Sequence, residues 1–441
     1  MKAAFWYAAR YRVEARCLSP LRTGGTDGDS ETVLTGPDGV CFVQGSSLAG
    51  AFRGWLEADE DWSALTEPLF GSQKRGGSLI VSDGRFDMAA QVSTRPRLRI
   101  NAETGSADPG GKFDIAQVNA GADFVFELVW LGQEEAPKQL QAIEAMLAAM
   151  DAGQIRLGAQ KNNGFGKVGL TVTRQFYDMR RPEDRTAWLE GTDRGQPFAL
   201  PEVVPDRRVC FILTGQIDGL LVKSSARLPK EERKDKQKAD ENKKGKDKGS
   251  YTPNLTENDV PVLPGSSIKG AVRAQAERIV KSTGLTDSLV ANLFGDAPSA
   301  GTETGRTGRV MVEDLRLDRA QARQISRIRI NRFTGGVIRQ GLLTEEPLST
   351  PVRLELSVRQ GSNMEYALLL YALRDLGLGL YNLGSGGAIG RGYVNVSEIV
   401  VTGPEGRQAT LRFDGEQRCQ LDDPSNLVAD WMQAWKEVQR T

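Results

Sequence analysis

Histidine is absent from all 441 residues, so Ser-His-Asp triads, imidazole proton shuttles and His-ligated metals are excluded. Acid–base or metal chemistry must rest on carboxylates, lysines or tyrosines. Cysteine is scarce: Cys17, Cys41, Cys210 and Cys419 are scattered, with no CxxC pair. That argues against a disulfide framework or zinc cage and for a reducing cytoplasm. No apolar run approaches membrane-spanning length, and the N-terminal MKAAFWYAARYR lacks a signal peptide's apolar core and cleavage site. Net charge is missing too, since 57 basic residues balance 57 acidic ones. A polyanionic partner is thereby neither announced nor forbidden, and the placement of charge must decide. With 39% hydrophobic and 26% charged residues, the composition is that of a soluble globular protein long enough for two or three domains.

What is present is a repeat. VQGSSLAGAFR at 43–53 returns as LPGSSIKGAVR at 263–273. LFG at 69–71 recurs at 293–295. LIVSDGRF at 79–86 is echoed by VMVEDLRL at 310–317, short strands closed by Asp83 and Asp314. LRINAETG at 98–105 matches IRINRFTG at 328–335, and each opens a polar, glycine-containing excursion. The chain returns in FVFELVW at 124–130 and VRLELSV at 352–358, and a helical segment follows. In the first copy Leu140, Ile143, Leu147 and Met150 share one helical face. Last come the glycine loops GAQKNNGFGKVGL at 158–170 and GGAIGRGYVNV at 386–396, with Asn163-Gly164-Phe165 set against Arg391-Gly392-Tyr393.

Each copy also begins with a strand. Tyr11, Val13, Ala15 and Cys17 alternate with charged neighbours, and 209–217 is a more continuously apolar run. The order is therefore βαββαβ, that of a ferredoxin-like domain and of RNA-recognition motifs. The expected fold is α+β: two tandem ferredoxin-like domains at 1–178 and 207–412, each with a hairpin excursion. Residues 179–206 read as a proline- and charge-rich linker. Residues 413–441 read as a helical tail whose Leu427, Trp431, Trp435 and Val438 form a stripe for docking, on its own domain or on a neighbouring subunit. Residues 227–249 carry ten Lys/Arg and six Asp/Glu and read as a disordered insertion.

A Gly-Ser-Ser run entering an apolar segment reads as a helix start that serines can cap and whose amides can bind an anion. Ser46, Ser47, Ser266 and Ser267 are thus candidate phosphate contacts, with Lys269, Arg53 and Arg273 adding charge. The competing reading is capping serines with Gly50 and Gly270 as close-packing residues. Neither glycine loop has the Gly-Lys-Ser/Thr of a P-loop, and Ile389 breaks the dinucleotide pattern. Both partly match an RNP1 motif, with Phe165 and Tyr393 either core aromatics or base-stacking platforms. Between 316 and 344 stand seven arginines, Arg329 and Arg332 among them, and one acid, Asp318. The first copy offers Arg95, Arg97 and Arg99. This local excess restores an RNA-binding reading to a neutral chain.

These landmarks, recurring in order, resemble the RAMP superfamily, and more narrowly the backbone subunits of type III CRISPR effector complexes. The tandem arrangement resembles a type III-D-like double-backbone subunit. The resemblance implies that the glycine loops face guide RNA, so Lys161, Asn163, Lys167 and Arg391 are candidate contacts. It implies that the hairpins act as thumbs wedging into the guide–target duplex. It implies partners: guide RNA, complementary target RNA, other RAMP subunits, a large polymerase/cyclase-like subunit and a small subunit, with no membrane. In cleaving members, a loop aspartate before the GSS helix cuts target RNA with a divalent metal. Here that loop is TGGTDGDSETVL at 23–34, Asp29 falls at the catalytic position, and Asp27 stands beside it as a second candidate ligand for Mg²⁺. The competing reading is an Asp/Gly surface turn. In the second copy Asp247 is the nearest acid. Alternatives are a non-catalytic RNA-binding scaffold, or a guide-RNA-processing ribonuclease, though the family's histidine after the first strand is missing.

Overall fold

In a computed structural model of the chain, β1 (Tyr7–Cys17) buries Tyr11, Val13, Ala15 and Cys17 while Arg12, Glu14 and Arg16 face solvent. That alternation is what a strand covered on one face requires. The structure describes residues 5–24, 32–101, 104, 106–192, 194–203, 207–224, 250–296, 305–416 and 418–438. The charged insertion at 227–249 lies outside them. The chain divides into two compact units. One comprises Met1–Arg95, Ile115–Lys161 and Phe165–Asp206; the other comprises Pro96–Asp114, Asn162–Gly164 and Arg207–Thr441.

After β1 the first unit continues through α1 (Gly45–Ala58), β2 (Leu79–Val81) and β3 (Gly84–Phe86). A hairpin of β4 (Val92–Ile100) and β5 (Ala107–Val118) comes next in the chain, with Pro96–Asp114 of it counted in the other unit, and the first unit resumes with β6 (Asp123–Gly132), α2 (Pro137–Asp151) and β7 (Val168–Asp178). The sheet order is β3-β6-β1-β7, with β2 also on β6, and every pairing is antiparallel. Val13 sits opposite both Phe126 and Val172. Leu48, Phe52 and Leu56 of α1 and Ile143, Met146, Leu147 and Met150 of α2 complete the core.

The stretch read as a linker is folded instead. It holds α3 (Pro182–Glu190) and β8 (Gln196–Phe198), which pairs with β7. Its proline and acids are a helix start: Pro182 opens α3, Glu183 and Asp184 occupy the first turn, and Gly191 closes it in the left-handed region. Trp188 packs edge-on against Tyr177 at 5.1 Å between ring centroids.

The second unit repeats the order with β9 (Val209–Leu220), α4 (Gly265–Thr283), β10 (Val310–Val312), a hairpin of β11 (Ile325–Ile330) and β12 (Val337–Glu345), β13 (Leu348–Val358), α5 (Asn363–Gly377) and β14 (Tyr393–Thr402). Two more strands, β15 (Gln408–Phe413) and β16 (Cys419–Asp422), extend the sheet to β10-β13-β9-β14-β15-β16. The region read as a helical tail therefore begins with a strand. Helix α6 (Leu427–Val438) packs on this same unit. Trp431 is buried against Tyr366 at 5.1 Å, and Trp435 meets Tyr371 at 5.0 Å. Each unit is a ferredoxin-like α+β domain: the second strand of the repeat pairs with the third, the third with the first and the first with the fourth.

Candidate nucleic-acid interface

Helices α1 and α4 begin at Gly45 and Gly265, one residue after extended Gln44 and Pro264, and no side chain at those preceding positions caps them. The serines are not caps; they sit in the first turn. An aspartate from a distant turn takes the capping role in both units. The Gly45 amide donates to Asp83 Oδ1 at 2.7 Å and the Gly265 amide donates to Asp314 Oδ1 at 2.7 Å. A carboxylate at a helix N-terminus is stabilised by the unpaired amides and the helix dipole.

That bond dictates glycine. A Cβ on Gly45 would stand 2.6 Å from the Val81 carbonyl oxygen, and one on Gly265 would stand 2.4 Å from that of Val312. The close-packing glycines are thus Gly45 and Gly265. A Cβ on Gly50 or Gly270 meets nothing within 4 Å. Ser46, Ser47, Gly50, Ser267 and Gly270 are exposed and Ser266 is half-buried, so each helix offers an open face of hydroxyls and small residues. The nearby cations have protein partners. Arg53 pairs with Glu57 at 2.8 Å. Arg273 pairs with Glu277 at 2.8 Å and donates to the Gly295 carbonyl at 2.9 Å. Lys269 donates to the Val310 carbonyl at 2.9 Å; burial, then the neighbouring Arg273 charge, push its pKa down to about 8.

The glycine loops superpose two residues away from the sequence alignment. Gly166 and Gly392 both take positive φ, 80° and 73°. Each carbonyl accepts an equivalent bond, from the Leu157 amide at 2.9 Å and from the Leu383 amide at 2.8 Å. A Cβ at either would collide with the oxygen of that same leucine. Phe165 therefore corresponds to Arg391, and Lys167 to Tyr393. Phe165 is fully buried, with the Arg95 guanidinium 5.1 Å above its ring. Arg391 is buried as well, and its guanidinium is hydrogen-bonded to Glu345. It is thereby turned away from the role of a freely exposed RNA contact. Burial raises the Glu345 pKa, but the Arg391 bond and the charges of Arg391, Arg327 and Lys223 outweigh it and hold the carboxyl below its usual value. Lys161 is exposed, Asn163 and Lys167 are half-buried, and Tyr393 is 39% exposed.

The second unit's hairpin carries open positive charge. On β11–β12, Arg329, Arg332 and Arg339 are exposed beside Ile328, Ile330 and Val337, and Phe333 at the tip is 98% exposed. The tip is a turn in which the Asn331 side chain accepts from the Phe333 amide at 2.8 Å. On the first hairpin Arg95 is buried, Arg97 is half-buried, and Arg99 pairs with Asp108 at 2.8 Å. Leu98, Ile100 and Phe113 are about half exposed there.

Asp27, Asp29 and Asp247 lie outside the described residues. Among the described residues no group of three or more Cys, Asp or Glu is placed to hold a metal ion. Sequence reasoning missed the capping roles of Asp83 and Asp314, although it noted both acids at strand ends, and it missed Glu345, which no local pattern marks. Among the described residues no helix is long and apolar enough to cross a membrane. A comparison with curated proteins gave no match. The family model of the RAMP superfamily matches residues 14–169 and again residues 249–395. Matched twice, over more than half its length, the chain belongs to the RAMP superfamily, a membership that points to a CRISPR-associated RNA-binding subunit.

Proposed function

We propose that this chain is a guide-RNA-binding backbone subunit of a type III CRISPR ribonucleoprotein, of the two-domain III-D-like kind, that holds the guide–target RNA duplex and cleaves the target. The observation that carries the RNA reading is the β11–β12 hairpin, whose arginines and apolar side chains are exposed together around a solvent-facing Phe333. Arginines suit phosphates, and an exposed aromatic among aliphatic residues suits insertion between or stacking on bases. The open Gly-Ser-Ser faces of α1 and α4 give each domain a second place for backbone, through hydroxyls. Sequence is then read by pairing with the guide, and protein reads the backbone.

Cleavage is proposed for Asp29 with Asp27. These carboxylates would hold a divalent ion, which would supply charge stabilisation at the scissile phosphate. Both residues lie outside the described part of the chain. The test begins with the RNA that co-purifies with the chain, expected to be a discrete set of repeat-derived guides. In the assembled complex Asp29→Ala is expected to keep guide binding and lose one target cut. Unchanged products at unchanged rate would leave a non-catalytic scaffold, and processing of precursor RNA by the isolated chain would favour a guide-processing ribonuclease.

A further inference from the structure

In each unit the residue just before the structurally matched loop glycine, Phe165 before Gly166 and Arg391 before Gly392, is buried against the root of the hairpin. In the first unit Phe165, 0% exposed, lies under the guanidinium of Arg95 from β4, itself 3% exposed. In the second, Arg391 is 8% exposed and bonds to Glu345, the last residue of β12, 3% exposed. Glu345 also pairs with Arg327 of β11 at 2.8 Å and with Lys223, beyond the end of β9, at 3.6 Å. One buried carboxylate thus ties together both hairpin strands, the glycine loop and the segment after the first strand. Its partners are asymmetric in exposure: Arg391 is enclosed, whereas the side chains of Arg327 and Lys223 are 37% and 45% exposed.

We propose that Glu345 is a positioning residue that locks the root of the arginine hairpin to the second glycine loop, and that the Arg95–Phe165 contact is its counterpart in the first unit. Glycines flank Arg391 in the loop, and the hairpin lies outside the unit's main sheet, in a small three-stranded sheet where Ser250–Thr252 runs parallel to Leu343–Glu345, so few backbone bonds hold either one to the core. A buried, multiply paired carboxylate fixes both against one sheet. Removing it leaves Arg391 buried without its anion, which costs more than the pair contributes. The bearing of this lock on RNA rests on the function proposed above; the lock itself does not.

Hydrogen–deuterium exchange on the full chain without RNA tests it. Glu345→Gln is expected to speed exchange about a hundredfold at the β11–β12 root and at the glycine loop while β9 and β13 keep their protection. Arg391→Met, which leaves Glu345 paired with Arg327 and Lys223, is the milder variant. It is expected to loosen the loop more than the hairpin. Unchanged hairpin exchange in a folded Glu345→Gln protein, or acceleration spread evenly over the sheet, would overturn the proposal. With RNA, Glu345→Gln is expected to keep the salt dependence of binding while the footprint at the hairpin blurs; a reduced salt slope would instead make the cluster a direct phosphate contact and overturn the positioning role. Absence of RNA binding by the wild type would sink the functional reading and leave the exchange result standing.

Discussion

Replacing Gly265 by alanine is expected to unseat the start of α4. The new Cβ would stand 2.4 Å from the Val312 carbonyl oxygen and 3.0 Å from the carbon and oxygen of Glu313, all backbone atoms that cannot swing aside. The helix must move outward, and the 2.7 Å bond from its first amide to Asp314 lengthens. Overpacking of this kind costs about 1–3 kcal/mol, and a weakened bond to a charged acceptor costs about 1.5–3 kcal/mol. Alanine's better helix propensity returns at most about 1 kcal/mol. The net loss is about 2–5 kcal/mol. Gly270→Ala is the control, because nothing lies within 4 Å of that Cβ, and it is expected to stabilise by about 0.5–1 kcal/mol. Urea unfolding followed by the fluorescence of buried Trp431 and Trp435 reads both. The contrast repeats in the first unit with Gly45→Ala and Gly50→Ala. Equal effects of Gly265→Ala and Gly270→Ala would refute the reasoning, since they would show that the carbonyl contact does not govern the site. If the open helix face holds RNA, Gly270→Ala lowers RNA affinity while raising stability.

Three further outcomes follow from the same geometry. Lys269 titrates near 8 in the fold against 10.5 for an ordinary lysine, so the unfolded chain binds the extra proton between those values and stability rises as pH climbs through that window; Lys269→Met is expected to flatten this slope in pH-dependent urea melts. Arg329→Gln and Arg332→Gln are each expected to reduce the slope of log affinity against log salt by about 0.7 for single-stranded RNA, and an unchanged slope would place the phosphates elsewhere. Phe333→Ala, at a position 98% exposed, is expected to change stability by less than about 0.5 kcal/mol and to weaken RNA binding by about 1–3 kcal/mol.

The scaffold was legible because its signals are local. Alternation in β1, apolar spacing in α2 and repeated strand–turn pairs are properties of consecutive residues, and the repeat doubled each of them. What was not legible depends on approach through space. Nothing near Gly265 says that Asp314 will cap it, so the serines of the first turn attracted the capping role instead. The aligned Asn-Gly-Phe and Arg-Gly-Tyr triplets look alike as letters. Positive φ and the bonds to Leu157 and Leu383 align different glycines. Arg391 reads as a guide contact because the resemblance puts the glycine loops against guide RNA, and only the fold brings Glu345 to it. The linker failed for a different reason: proline and acids disfavour a helix interior but favour its first turn, and 182–184 is a first turn.

Both ferredoxin-like scaffolds lie in one polypeptide, so they are synthesised in equal number and fixed sequence. If both modules hold RNA as proposed, a strand held by one finds the other at the effective concentration set by the tether rather than by expression level.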